Sequence, residues 1–331
     1  MASTIAAITT GTGGVVTTAD ATGNLNLLSG TTTVLSVAST GATVSGTLGI
    51  NGSTSGTATI VTPAAAGTPT LTLPTTTGTL PLVSQLRSYL AGLTLSTAGS
   101  SATMSIAAGV CNDSTNVSMM ALAATSKTTS AWALGAAVGG LDTGTIANST
   151  WYYYYVIQRA DTGVVDCVFS TSASLPTLPT NYTLYRYIGA GLTNGSAQWV
   201  AFIQDGDLFQ WNVSVADISA ANPGTAAVTR TLTVPRIRCT SIVSVSCVNT
   251  TLNIFGGGIL SDLSASDENP STIFGSFSEA VGGAATCNTI GTNEVLTNTS
   301  AQIRSRIGFS DSGTTLTIKT RGWRDTRGRN A

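Results

Sequence analysis

The chain has 331 residues, of which only 9% are charged, and its 14 basic and 15 acidic side chains leave a formal net charge of −1. Histidine is absent, which excludes Ser-His-Asp and Cys-His catalysis and histidine-based zinc or iron sites. A charge this close to zero also lacks the basic excess that nucleic-acid binding or broad membrane attraction requires.

Residues 1–86 carry a single charged side chain, Asp20, among Thr, Ser, Gly and Ala. The opening MASTIAAITTGTGG has neither a basic n-region nor a continuous apolar run, so no cleaved leader is expected. The uncharged run from Ala21 to Gln85 is broken too often by polar residues to span a bilayer, so no membrane insertion is expected. Within it lie short units in which apolar and polar residues alternate. They are Leu25-Asn26-Leu27, Val34-Leu35-Ser36-Val37, Ala42-Thr43-Val44, Leu48-Gly49-Ile50, Ala58-Thr59-Ile60 and Leu71-Thr72-Leu73. Each reads as a half-buried strand too short to close a core alone. A segment with so little charge stays soluble only if its apolar positions are covered, so residues 1–80 are expected to form a repetitive β shaft wound with copies of itself.

Residues 81–93 read as a short helical junction: Leu82, Leu86, Tyr89, Leu90 and Leu93 follow helical spacing, Pro81 suits a first turn and Gly92 a stop. Residues 94–211 read as a β-sandwich or jelly-roll-like antiparallel module. Trp151-Tyr152-Tyr153-Tyr154-Tyr155-Val156-Ile157 is a strand with aromatics on both faces, one for a core and one for a second layer or a partner. Asp161-Thr162-Gly163, Asn194-Gly195 and Asp205-Gly206 mark tight turns. After Asn222-Pro223-Gly224, residues 212–331 supply a C-terminal β module with strands at Val228–Val234, Ile242–Val248 and Leu316–Lys319, ending in a basic tail from Thr320 to Arg329.

Candidate chemistry is sparse. Cys111, Cys167, Cys239, Cys247 and Cys287 form no C-x-x-C pair and read as small buried residues. The carboxylate neighbours Asp205 with Asp207 and Asp267 with Glu268 are the remaining acid–base option, but they sit in turn-like contexts. The two lysines, Lys127 and Lys319, follow no phosphate loop. No catalytic residue, metal site or cofactor is therefore expected. Binding is better served: Tyr153, Tyr185 and Trp199 are candidate platforms for sugar stacking, and Trp323, Arg324 and Arg327 are candidate contacts of the basic tail with anionic or phosphate groups.

Three stretches resemble structural fibre proteins of tailed bacteriophages. They are Gly46-Thr47-Leu48 through Ala64-Ala65-Ala66-Gly67-Thr68-Pro69-Thr70-Leu71-Thr72-Leu73-Pro74 to Thr77-Gly78-Thr79-Leu80; Gly140-Leu141-Asp142-Thr143-Gly144-Thr145-Ile146-Ala147-Asn148-Ser149-Thr150-Trp151-Tyr152 with Asp161-Thr162-Gly163-Val164-Val165-Asp166 and Phe169-Ser170-Thr171-Ser172-Ala173; and Asn298-Thr299-Ser300-Ala301-Gln302-Ile303-Arg304-Ser305-Arg306 with Gly322-Trp323. The resemblance covers most of the chain and implies no catalytic residue. It implies a homotrimeric tail fibre, assembled in the host cytoplasm and resident in the virion. Its N-terminus would attach to tail or baseplate proteins and its C-terminal modules would meet a host surface glycan or protein. The alternatives are a head fibre or capsid decoration protein and, from another class, a polysaccharide depolymerase using carboxylates.

Overall fold

A computed structural model describes residues 25–29, 32–38, 41–45, 48–51, 55, 57–60, 86–250, 256–271, 274–279 and 287–329. The chain divides into two compact units, 1–79 and 80–331. Among the described residues the protein is all-β, with no helix.

In the first unit β1 (Leu25–Ser29), β2 (Thr32–Ala38) and β3 (Gly41–Val44) form an antiparallel meander, and β4 (Leu48–Asn51) pairs with β5 (Thr57–Ile60). Five of the six short alternating units therefore lie on strands, and Leu71-Thr72-Leu73 lies outside the described residues. Two- and three-stranded sheets this small bury little. Leu27, Val34, Val37, Val44, Leu48 and Ile50 are all exposed within the chain.

The second unit opens with β6 (Leu90–Gly92), β7 (Leu95–Ser96), β8 (Thr103–Ile106), β9 (Gly109–Asn112), β10 (Met119–Leu122), β11 (Thr125–Ala131) and β12 (Val138–Leu141). It continues with β13 (Trp151–Arg159), β14 (Val165–Ser170), β15 (Tyr182–Leu192), β16 (Phe202–Asp205), β17 (Leu208–Ala221) and β18 (Val228–Thr231). It closes with β19 (Thr240–Asn249), β20 (Gly256–Ser261), β21 (Phe277–Glu279), β22 (Cys287–Leu296), β23 (Gln302–Ile307) and β24 (Thr314–Arg324). The sheets run β10-β9-β6, β15-β13-β14-β12-β11-β8-β7, β16-β17-β24-β19-β22 and β18-β23-β20-β21.

Two expectations are corrected. The helix expected over 81–93 begins outside the described residues, and within them Leu86–Ser88 turns and Leu90–Gly92 is β6, paired with β9. Ser88 at φ 57° ends any helical course, and its N–H goes to Asn116 Oδ1 at 2.7 Å. Three turns of isolated helix are marginal, whereas strand pairing here carries the chain on to bury Leu93 and Leu95. The boundary expected at 211/212 falls inside β17, and one hydrophobic core draws Leu95, Met104, Tyr152, Trp199, Val243 and Ile318 together from both sides of it.

The seven-stranded sheet is mixed, not purely antiparallel, because β12 runs parallel to both β11 and β14. A parallel step between consecutive strands ordinarily takes a dozen or more residues. Here six, 132–137, suffice, and Lys127 explains how. Its buried ammonium donates to Ala133 O (2.8 Å), Gly135 O (2.9 Å) and Asp166 Oδ2 (2.8 Å), and lies 5.6 Å from the Trp132 ring centroid. Asp166 in turn accepts from Gly135 N (3.2 Å) and Cys167 N (2.7 Å). The carbonyls of a tight crossover are thus satisfied by a paired cation in place of water.

β13 divides its aromatics as its alternation requires. Tyr152, Tyr154 and Val156 enter the main core, where Tyr152, Phe169 and Trp199 meet edge to face with ring centroids 5.2–5.7 Å apart. Tyr153, Tyr155 and Ile157 enter a second cluster on the opposite face. The segment seen in sequence as a basic tail is the centre of the five-stranded sheet: β24 lies between β17 and β19. Gly322 is required there, since a Cβ would stand 2.1 Å from Phe209 O. Lys127→Met leaves the Asp166 carboxylate buried and unpaired, and should lower unfolding free energy in urea by about 3–5 kcal/mol. Adding Asp166→Asn should recover part of that loss.

Candidate functional site

Residues 185–187 on β15 read Tyr-Arg-Tyr, and strand alternation places the two tyrosines on one face. Pairing with β13 sets Tyr187 opposite Tyr155 and Tyr185 opposite Ile157. The Tyr155 ring stands 6.1 Å from Tyr185 and 5.8 Å from Tyr187. β15 is the sheet's edge. Beside it the chain leaves β24 through Asp325, Thr326 and Gly328, and approaches β19 through Ile237, Arg238 and Cys239. Between these segments and the tyrosines opens a cleft of about 800 Å3.

Hydrogen bonds fix its floor. Tyr187 Oη donates to Asp325 Oδ2 at 2.5 Å, and Asp325 Oδ1 accepts the Arg327 backbone N–H at 2.7 Å. Arg327 turns inward: Nε donates to Ile188 O (2.8 Å), and Nη2 to Gly92 O (2.9 Å) and Leu93 O. Burial raises the Asp325 carboxyl above its ordinary value despite the bond from Tyr187 and the nearby Arg327. Burial, reinforced by Asp325, holds the Tyr187 phenol well above its own, so it remains a donor.

At the rim, Arg238 pairs with Asp262 (2.8 Å) and Arg324 with Glu294 (3.3 Å), and both guanidinium groups are about half exposed. Arg186 is different. It is 4% exposed, its Nη2 makes one long bond to Ser88 O (3.4 Å), and its buried Nε has no partner. Burial lowers its pKa.

Of the residues expected to bind, the structure brings Tyr185 and Arg324 to this cleft and the others elsewhere. Tyr153 is buried, its hydroxyl accepting from Arg236 N at 3.0 Å. Trp199 is fully buried and donates to Ala102 O at 3.2 Å. Trp323 is fully buried too, stacked on Phe209 with ring centroids 5.0 Å apart and meeting Trp151 edge to face at 5.4 Å. Arg327 is an internal clamp with its donors committed to carbonyls. Large aromatics bury the most apolar area and so are drawn into cores before they can serve as surfaces. Sequence reasoning missed Arg186, Arg238 and Asp325. Alternation along β15 sets the first on the face opposite the two tyrosines, so no local pattern marked it.

The carboxylate neighbours form no acid–base pair. Asp207 is bound by Arg329 and Asp267 by Arg306, while Asp205 and Glu268 are exposed, and the 205–208 turn closes the β16–β17 hairpin. Cys111, Cys167, Cys239 and Cys247 are buried, and burial pushes the thiols of Cys111 and Cys239 up to about 12. Such thiols are not nucleophiles at neutral pH. Among the described residues no group of three or more Cys, Asp or Glu side chains is placed to hold a metal, and no helix is long and apolar enough to cross a membrane. No family model matches the sequence, and no curated protein matches it.

The raised Asp325 carboxyl makes a pH prediction. The folded state holds this proton more tightly than the unfolded chain, so the associated stability is complete below 3.8 and is lost as pH rises through the raised value. Wild type should therefore gain stability relative to Asp325→Asn as pH falls from neutral to 3.8, read from urea midpoints. A difference that does not change with pH would mean the carboxyl is not desolvated.

Proposed function

We propose that the protein is a structural fibre subunit of a tailed bacteriophage, a non-enzymatic homotrimer that meets the host surface through residues 80–331. The observation that carries this reading is the open cleft with tyrosine walls and arginines at its rim. Tyr and Arg are the side chains most enriched at binding hot spots, and the described acidic pairs show no catalytic arrangement. The first unit supports assembly. Its almost uncharged strands leave Leu27, Val34, Val37, Val44, Leu48 and Ile50 exposed within one chain, a surface that three copies wound together would cover. That unit attaches to virion tail or baseplate proteins. The second projects three copies of a weak site, whose avidity comes from effective concentration on a stiff axis.

Native mass spectrometry should give about 100 kDa, three times the 33.4 kDa chain. A monomer at micromolar concentration would remove the fibre reading. Labelled full-length protein should bind cells of the phage's host and compete with infection. Tyr185→Ala, on the partly exposed cleft wall, should weaken binding about tenfold or more while the protein remains folded by circular dichroism. Unaltered cell binding by that variant would place recognition elsewhere.

A further inference from the structure

The face of the seven-stranded sheet that carries the second aromatic cluster holds another opening, a groove of about 510 Å3 that shares no lining residue with the tyrosine cleft. Trp132, Asp142, Arg159, Leu178 and Tyr182 line it. Backbone register puts them on one face. Arg159 is the cross-strand partner of Tyr182, so their side chains stand together. Tyr182 belongs to the second cluster, against which Trp132 and Leu178 pack. Leu141 enters the main core, and Asp142 N continues the ladder to Phe169 O at 3.0 Å, so Asp142 turns to the other face. Two bonds draw the remainder in: Trp132 N donates to Leu141 O (2.8 Å), and Asp142 Oδ2 accepts from Thr177 N (2.8 Å), one residue before Leu178.

The Trp132 ring is fixed in place. Its Nε1 donates to Cys167 O at 3.2 Å, the Lys127 ammonium lies 5.6 Å from the ring centroid, and Tyr182 meets it edge to face at 5.5 Å. It is still only partly buried, and Leu134, also in the lining, is 60% exposed. A fixed and partly open indole loses little entropy when a ligand packs on it. Polar capacity is left over beside it. A carboxylate has about four acceptor positions, and Asp142 gives only two of them to Thr143 N (2.7 Å) and Thr177 N. Arg159 gives Nε and Nη2 to Asp161 (3.0 and 2.7 Å) and keeps its other N–H groups. Arg159 and Asp161 cancel in charge, which leaves the Asp142 carboxylate as the net charge of the groove and disfavours an anion. An apolar ring flanked by a carboxylate acceptor and a guanidinium donor suits an uncharged molecule with an apolar face and a rim of hydroxyls. A neutral sugar ring has that form.

We propose that this groove binds an uncharged saccharide, one sugar ring packed on Trp132 and its hydroxyls shared between Asp142 and Arg159. The assignment does not rest on the reading of the tyrosine cleft. Fluorescently labelled full-length protein should be overlaid on an array of neutral hexose and N-acetylhexosamine oligosaccharides, printed beside uronic-acid and sialylated ones and beside proline-rich peptides. It should bind neutral sugars in preference to acidic ones. Arg159→Ala, at a position whose side-chain bonds go to the exposed Asp161, should weaken that binding about tenfold and remain folded by circular dichroism. Asp142→Asn, which removes the charge and one acceptor, should weaken it at least as much. No binding to neutral sugars, a preference for acidic ones, or neutral-sugar binding unchanged in either folded variant would overturn the proposal. Capture by the proline-rich peptides and by no sugar would overturn it in favour of a polypeptide ligand. The trimer mass and the effect of Tyr185→Ala on cell binding are read separately, so failure of this groove and failure of the fibre reading remain distinguishable.

Discussion

The second unit depends on one buried guanidinium. Arg327 reaches backbone carbonyls of Ile188 on β15, of Gly92 at the end of β6 and of Leu93 just after it, joining segments more than two hundred positions apart in the chain. Each carbonyl would otherwise be an orphan in a dry interior, and the guanidinium has the donors to satisfy several at once. Because the clamp follows directly on β24, it fixes where the C-terminal segment lies against the edge of the seven-stranded sheet. The floor of the cleft, Asp325 bound by Tyr187, is set by that placement.

Around the clamp the two faces of β13 do different work. Its even-numbered aromatics lock the seven-stranded sheet to the five-stranded one through Trp199, Phe169 and the neighbours of Trp323. Its odd-numbered ones form a shallow second cluster that Tyr185 and Tyr187 extend outward. The cleft is therefore the unfinished margin of a packed layer. Its rings are held by neighbours on one side and open on the other, which gives a rigid surface with little entropy to lose on binding.

Much of this was legible in the residues. Five of the six short aliphatic units of the first unit fall on β1 to β5, and the Asp161-Thr162-Gly163 turn joins β13 to β14 with Gly163 at φ 73°. Both rest on local rules of alternation and turn chemistry. What failed was non-local. The helical spacing of Leu86, Leu90 and Leu93 is real, but β9 offers a backbone partner that overrides it. The segment from Thr320 read as a basic tail open to anionic contacts, yet Thr320 and Trp323 are buried on β24 between two strands. The parallel step from β11 to β12 has no sequence signature, since it depends on Lys127 meeting Asp166 from 39 positions away. Of the candidate binding residues, Tyr185 and Arg324 reached the cleft, because composition tells aromatic from aliphatic but not core from rim.

The central position of β24 also orders events in time. β17 ends at Ala221 and β19 at Asn249, but the strand that must lie between them begins at Thr314. During synthesis, at roughly 5–20 residues per second, the two flanking strands emerge seconds before their shared neighbour exists. Until then each presents an open row of backbone donors and acceptors, the kind of edge that pairs with other chains. In that interval any neighbouring strand edge competes with the chain's own β24.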